Sequence, residues 1–265
     1  MNKNIVDINK KIAKYIEFLT TKIKLVFSQK KFLKNGICYK YIFKKKSEED
    51  LIVILSSCTR KGIKARYNYM RTLKDINASQ LYILDDFAED HRGSYYLGSE
   101  CKFDEEKVAI ELVKEFVEKY GTRKLIICGS SKGGYASLNI GVEFPNANIV
   151  IGGPQYFLGD YLLASGNYAA LKHIIGEKTG EKISMLNSRL REKINSNMYK
   201  KTQKIFIHFS NQEHTYEEHI KYLMEDLNKN DYQVETDICS YSNHSDISYY
   251  FPEFLVNSIN RILAE

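Results

Sequence analysis

The stretch Lys124-Leu-Ile-Ile-Cys-Gly129-Ser130-Ser131-Lys132-Gly133-Gly134-Tyr135-Ala-Ser-Leu138 decides how this chain is read. Lys124 to Cys128 is an apolar, strand-like run. Gly129-Ser-Ser-Lys-Gly133 follows as Gly-x-Ser-x-Gly, and Tyr135, Leu138 and Val142 then recur at helical spacing up to Pro145. A strand that passes straight into a helix through this pattern is a nucleophile elbow, a turn so tight that only small residues fit beside the serine. Gly129 and Gly133 supply the close backbone approaches that a Cβ would obstruct. The five-residue pattern alone arises by chance. The strand before it and the helix after it make Ser131 the expected nucleophile of an acyl-transfer reaction.

Working outward, 265 residues suffice for one α/β domain with a small insertion. A hydrophobic content of 43% with 27% charged residues describes a globular chain, and three prolines without a low-complexity tract argue against a flexible interdomain linker. The net charge of +6 is modest. Its densest runs, Lys30-Lys31, Lys44-Lys45-Lys46 and Lys200-Lys201, read as solvated lysines, and no nucleic-acid-binding module accompanies them, so no nucleic-acid partner is expected. Five cysteines without a Cys-x-x-Cys pair fit a reducing cytoplasm. The first twenty residues contain no signal-peptide core, and no apolar run reaches transmembrane length.

Apolar residues at Ile5, Ile8, Ile12, Ile16, Leu19 and Ile23 predict an amphipathic N-terminal helix within a lead-in over residues 1–35, available for docking a protein partner. The main domain is expected over 36–265. Strands are predicted at Gly36–Lys44, Leu51–Leu55, Leu81–Leu84, Lys124–Cys128, Asn148–Ile151, Ile205–Phe209 and Val234–Ile238. Helices are predicted around Tyr67–Leu73, after an Asp104 cap, after the elbow, over Tyr216–Leu227, and at the C-terminus along Phe251, Leu255, Ile259 and Leu263. Residues 156–199 read as a helical lid without strands. Strands alternating with helices imply a mainly parallel sheet covered on both faces.

An activated serine needs a base, and the base needs a group that orients it. Of six histidines, His244 in Ser240-Tyr-Ser-Asn-His244-Ser-Asp246 lies directly after the last strand. His208 falls inside a strand, His219 inside a helix, His173 in the insertion and His91 upstream of the serine. Glu213, four residues beyond the strand ending at Phe209, is the expected acid; Asp246 is its rival and Asp237 a third candidate. The oxyanion hole calls for two backbone N–H donors, one from Lys132 and one from Ser57 or Cys58 in the loop after the Leu51–Leu55 strand. Arg60, Lys61, Lys64 and Arg66 in that loop form either a solvated basic segment or a positive rim for an anionic substrate or carrier. Neither a phosphate loop, a dinucleotide fingerprint nor zinc-ligand spacing is present, and Asp85-Asp86 with Glu89-Asp90 reads as the polar end of a strand. No cofactor or metal is therefore expected.

With these residues in order, the chain resembles the α/β-hydrolase superfamily from about residue 36 to 264. Gly129–Tyr135, Ser94-Tyr-Tyr-Leu-Gly98 and Asn243-His-Ser-Asp246 are similar to a bacterial group within it. That group includes esterase-like accessory secretion proteins for serine-rich glycoproteins and hydrolase-like capsular polysaccharide biosynthesis proteins. The resemblance implies acyl or acetyl transfer on a glycan or glycoconjugate, with the catalytic roles falling on Ser131, His244 and Glu213. The chain is thus expected to be a serine-dependent carboxylic ester hydrolase or acyltransferase, its acyl-enzyme released to water or to a sugar hydroxyl. Glu213 departs from the more usual Asp. Tyr95, Tyr96 and Tyr156 would then stack on a sugar ring. The alternative is a non-catalytic scaffold of a glycan-assembly or secretion complex.

Overall fold

The structure, a computed structural model, describes residues 28–265. The expected amphipathic helix of residues 5–23 lies outside the described residues. Eight strands, β1 (Lys30–Lys34), β2 (Ile37–Lys44), β3 (Asp50–Leu55), β4 (Ser79–Leu84), β5 (Lys124–Ser130), β6 (Asn148–Gly152), β7 (Lys204–Ser210) and β8 (Gln233–Cys239), form one sheet. Their order is β1-β2-β4-β3-β5-β6-β7-β8. The β1–β2 and β2–β4 pairs are antiparallel and the rest are parallel. Because β1 pairs with β2 from Lys30 onward, the sheet begins inside the segment expected as lead-in.

The central strands are apolar on both sides because both faces are covered. Val53, Leu55, Ile127, Ile149, Ile151 and Ile207 join one core, against α1 (Asp104–Lys119), α2 (Lys132–Gly141) and the helices of the insertion. The alternate residues Ile52, Ile54, Ile126, Cys128, Val150 and Phe206 face a second core. Phe251, Leu255 and Ile259 of the C-terminal helix α7 (Ile247–Ala264) fill that core. This period-two switch is what a strand imposes on successive side chains.

The insertion carries α3 (Leu158–Ala164), α4 (Tyr168–Ile175) and α5 (Gly180–Ser196) and no strand. Leu162, Ile174, Leu186 and Leu190 are buried in the first core, so the insertion is anchored as part of the domain. α6 (Lys221–Lys229) covers the same face.

Three local expectations are corrected. Residues 67–73 form turns, not a helix. Tyr69 takes a left-handed φ of 58°, which interrupts helical winding, and Asn68 and Tyr69 bond to Ser57 and Ser130 near the elbow. Asp104 does not cap α1 but begins it; Phe103, with φ 53°, is the cap residue and makes no side-chain cap bond. Finally, the helix expected from Tyr216 opens with a π turn, Tyr216–Ile220, before α6.

Candidate active site

β5 ends at Ser130 and α2 starts at Lys132, leaving Ser131 alone between them. Its backbone sits at φ 51°, ψ −120°, a region sparsely populated by residues with a Cβ. Such strain persists only where the surroundings over-determine it. Here the Ser131 N–H donates to Gly152 O at 2.8 Å, and the Ser131 carbonyl accepts from Tyr135 N–H at 2.9 Å. A Cβ on Gly129 would lie 2.6 Å from the Gly133 backbone, and one on Gly133 would lie 2.5 Å from Leu55 O. Strand, elbow and helix therefore pack at backbone contact, as the glycine spacing predicts.

The structure brings Ser131, His244 and Glu213 together from three separate loops. Ser131 Oγ lies 2.8 Å from His244 Nε2, and His244 Nδ1 is hydrogen-bonded to Glu213 Oε1. Glu213 is buried, and Thr215 Oγ1 donates to the same carboxylate oxygen at 2.6 Å. Burial alone would raise the Glu213 carboxyl. The hydrogen bond and charge of His244, with help from Thr215, instead hold it below its ordinary value. Glu213 is thus an ionised acceptor on Nδ1 of His244, whose Nε2 faces the Ser131 hydroxyl. The rival carboxylates point elsewhere. Asp246 accepts from Asn243 and Ser245 at 3.4 Å, and Asp237 pairs with His208 Nδ1 at 2.7 Å.

The oxyanion candidates separate in the same way. The Ser57 N–H already donates to Asn68 Oδ1 at 2.9 Å, and its hydroxyl meets Ser130 Oγ at 3.0 Å. Cys58 follows in the same loop, with Sγ against the Arg92 guanidinium at 3.1 Å. The Lys132 N–H stands at the first position of α2, while its side chain is fully buried and forms a structural lock. Lys132 Nζ donates to Asp85 Oδ2 at 2.9 Å, Asp85 O at 3.1 Å and Arg92 O at 3.0 Å. Asp85 in turn accepts the N–H groups of Ser94 and Tyr96. Both ions are fully buried, so each is tolerable only because the other is present.

Arg60 lies exposed beside Lys61, Lys64 and Arg66. The three expected stacking tyrosines are corrected by burial: Tyr95, Tyr96 and Tyr156 are 1%, 0% and 0% exposed and cannot meet a ligand face. Tyr96 instead bonds Ser56 N–H and Ile83 O, and Tyr156 donates to Asp226 at 2.7 Å. Their aromatic area serves the core.

Two residues that sequence reasoning passed over, Gln155 and Tyr161, stand beside the serine, and a third, Arg92, braces the Cys58 loop. Gln155 Nε2 lies 3.3 Å from Ser131 Oγ; its position just beyond β6, the neighbour of the elbow strand, is the signal that would have found it. Tyr161 of α3 faces Ser131, its phenol pushed up to about 12 by burial and by Cys58 and Glu213, with the Ser131 hydroxyl opposing. Arg92 donates to Thr59 O at 2.8 Å. Nothing local in the sequence marks Tyr161 or Arg92. His208, Asp237 and Cys239 bring three donor atoms within 4.8 Å of one another. His208 already bonds Asp237 and faces the Tyr241 hydroxyl at 3.3 Å, which accounts for the group as a hydrogen-bonded chain.

The solved structures similar to this chain share its fold. The capsule O-acetyltransferase of Neisseria meningitidis serogroup A aligns at 24% identity and TM-score 0.73, over 87% of this chain and 93% of that one. A histidine mutant of that enzyme, in complex with CoA, aligns at 21% identity and TM-score 0.72, over 89% and 96%. The glycosylation-associated Gap123 complex of Streptococcus agalactiae aligns at 16% identity and TM-score 0.75, over 90% of this chain and 47% of that one. An S-formylglutathione hydrolase from Agrobacterium tumefaciens aligns at 12% identity and TM-score 0.62, over 88% and 93%. No curated protein matches the chain in sequence. The architecture is therefore an α/β-hydrolase fold. A family model matches residues 76–229, a span that holds the elbow, the insertion and Glu213, and by that match the chain belongs to the uncharacterised protein family UPF0227.

Proposed function

We propose that this protein is a serine-dependent acyltransferase that moves an acyl group, most simply acetyl, onto a hydroxyl of a glycan or glycoconjugate in bacterial surface polysaccharide or glycoprotein biosynthesis. The observation that carries the reading is the continuous Ser131–His244–Glu213 hydrogen-bond chain at a strained elbow. His244 Nε2 takes the Ser131 proton as Oγ attacks the acyl carbon, and the protonated imidazole then hands that proton to the leaving group. Glu213 orients the ring and stabilises its charge. The N–H groups of Lys132 and Cys58 are the oxyanion donors, since the Ser57 N–H is occupied by Asn68. An acceptor hydroxyl next gives its proton to His244 and attacks the acyl-enzyme, and Ser131 recovers its proton as the ester leaves.

Transfer to a sugar is favoured over simple hydrolysis by the likeness to a capsule O-acetyltransferase and to a glycosylation-associated complex. The exposed Arg60, Lys61, Lys64 and Arg66 suit an anionic acyl carrier, and the capsule enzyme's histidine mutant was solved in complex with CoA. Intact-mass analysis after p-nitrophenyl acetate treatment tests the reading. An acetyl adduct mapping to Ser131 in the wild type and absent from Ser131→Ala is expected. A folded protein that never acquires the adduct contradicts the mechanism and leaves the scaffold role.

A further inference from the structure

A cleft of about 690 Å³ opens between α3 and the π turn 216–220. Its walls are aromatic and acidic: Phe157, Tyr161 and Tyr222 with Asp160, Glu217 and Glu218, and no lysine or arginine lines it among the described residues. Glu217 is paired with Lys221 at 3.4 Å, whereas Asp160 and Glu218 have no cation partner among the described residues. At the cleft wall His219 is 2% exposed. Its Nδ1 accepts the Phe157 N–H at 3.3 Å, which puts the ring proton on Nε2, and Nε2 has no partner among the described residues. Burial, the largest cause, and the neighbouring His214 push this imidazole down to about 4, so it is neutral at physiological pH. A buried donor left unpaired is costly and calls for a ligand oxygen.

The cleft lies next to the Ser131–His244 pair, although neither residue lines it. The Tyr161 ring is 5.6 Å from His219 and 6.5 Å from His244, so one aromatic ring separates the cleft from the Ser131–His244 pair. The π turn that forms the far wall begins three residues after Glu213. The exposed Arg60, Lys61, Lys64 and Arg66 lie in the loop after β3 and do not line this cleft.

We propose that this cleft receives the acyl acceptor, and that the acceptor is an uncharged or amino-bearing sugar rather than an anionic one. This rests on the acyl-transfer reading above. Phe157 and Tyr222 offer faces for the apolar side of a pyranose, and His219 Nε2–H donates to a ring substituent. Asp160 and Glu218 accept sugar hydroxyl or ammonium protons and repel carboxylate or phosphate. The acceptor hydroxyl then loses its proton to His244 as its oxygen bonds the acyl carbon and the Ser131 Oγ–carbon bond breaks. Donor and acceptor are thereby sorted by charge.

The test offers acetyl-enzyme formed from p-nitrophenyl acetate to glucosamine, glucose or glucuronate at equal concentration. Sugar ester is read by mass spectrometry per equivalent of the p-nitrophenolate burst, so unfolded protein does not count, and Ser131→Ala supplies the uncatalysed background. Esters of glucosamine and glucose are expected to exceed that of glucuronate about tenfold, and Asp160→Asn with Glu218→Gln to reduce the gap to about threefold or less. The proposal is overturned if glucuronate is acetylated as well as glucosamine, if the gap survives the double substitution, or if a burst occurs and no sugar is acetylated. Absence of the burst itself refutes the underlying acyl-transfer reading, and the acceptor site with it.

Discussion

At the scale of single residues, chemistry and geometry divide the work among neighbours that look alike in sequence. Glu213 and Asp246 both lie within reach of the last loops, yet only Glu213 is bonded to His244 Nδ1, while Asp246 bonds its own turn. Glu213→Gln should therefore lower turnover about 10³-fold, because the amide no longer favours the required imidazole tautomer. Asp246→Asn should stay within about twofold, and steady-state kinetics on p-nitrophenyl acetate separates the two. The grouping of Ser131, His244 and Glu213 was legible in the sequence because each follows a strand whose position the alternating pattern fixes, and the structure brings the three side chains together. Tyr95, Tyr96 and Tyr156 were misread for a physical reason: a tyrosine near a strand end looks the same whether its ring is buried and its hydroxyl bonded or its face is open. Burial depends on chain segments distant in sequence, such as α6 with Asp226 for Tyr156.

At the scale of elements, the elbow is held by its contacts more than by its own conformation. Gly133 lets α2 meet the end of β3, where a Cβ would come 2.5 Å from Leu55 O. Gly133→Ala is expected to cost about 2–3 kcal/mol in urea unfolding, since rigid backbone stands in the way. The Lys132–Asp85 pair ties α2 to the loop after β4, and Asp85→Asn should cost about 3–5 kcal/mol by leaving a buried ammonium without its counter-charge. His219 in the π turn makes stability depend on pH. Its ring titrates at about 4 in the folded chain against 6.5 for the ordinary group. The unfolded chain thus binds the extra proton between those values, and stability falls as pH drops from 6.5 toward 4. The loss should reach about 2 kcal/mol by pH 5, and His219→Gln should remove that component from urea titrations at pH 7 and pH 5. None of these devices has a local sequence signature beyond the glycines. Residues 67–73 show the same limit, their helical spacing giving way to a left-handed Tyr69 and bonds to the elbow loop.

At the scale of the whole molecule, the strand-helix alternation carried the architecture. Apolar runs at β3 to β7 require a doubly covered parallel sheet, and the elbow after β5 orients the reactive edge. What the pattern could not supply was the strand order, in which β4 lies outside β3, or the sheet's start at Lys30. The candidate site gathers residues from the loops after β3, β5, β6, β7 and β8, with the exposed Arg60, Lys61, Lys64 and Arg66 in the loop after β3 and the carboxylates of Asp160, Glu217 and Glu218 in the cleft beside α3. The central claim is that Ser131 is an activated nucleophile. Labelling with a fluorophosphonate probe, mapped by peptide mass spectrometry, tests it most directly. The account predicts one modified residue, Ser131, with labelling abolished in Ser131→Ala and slowed at least about 10³-fold in His244→Ala. An unlabelled folded protein, or labelling that persists undiminished in Ser131→Ala, would contradict it.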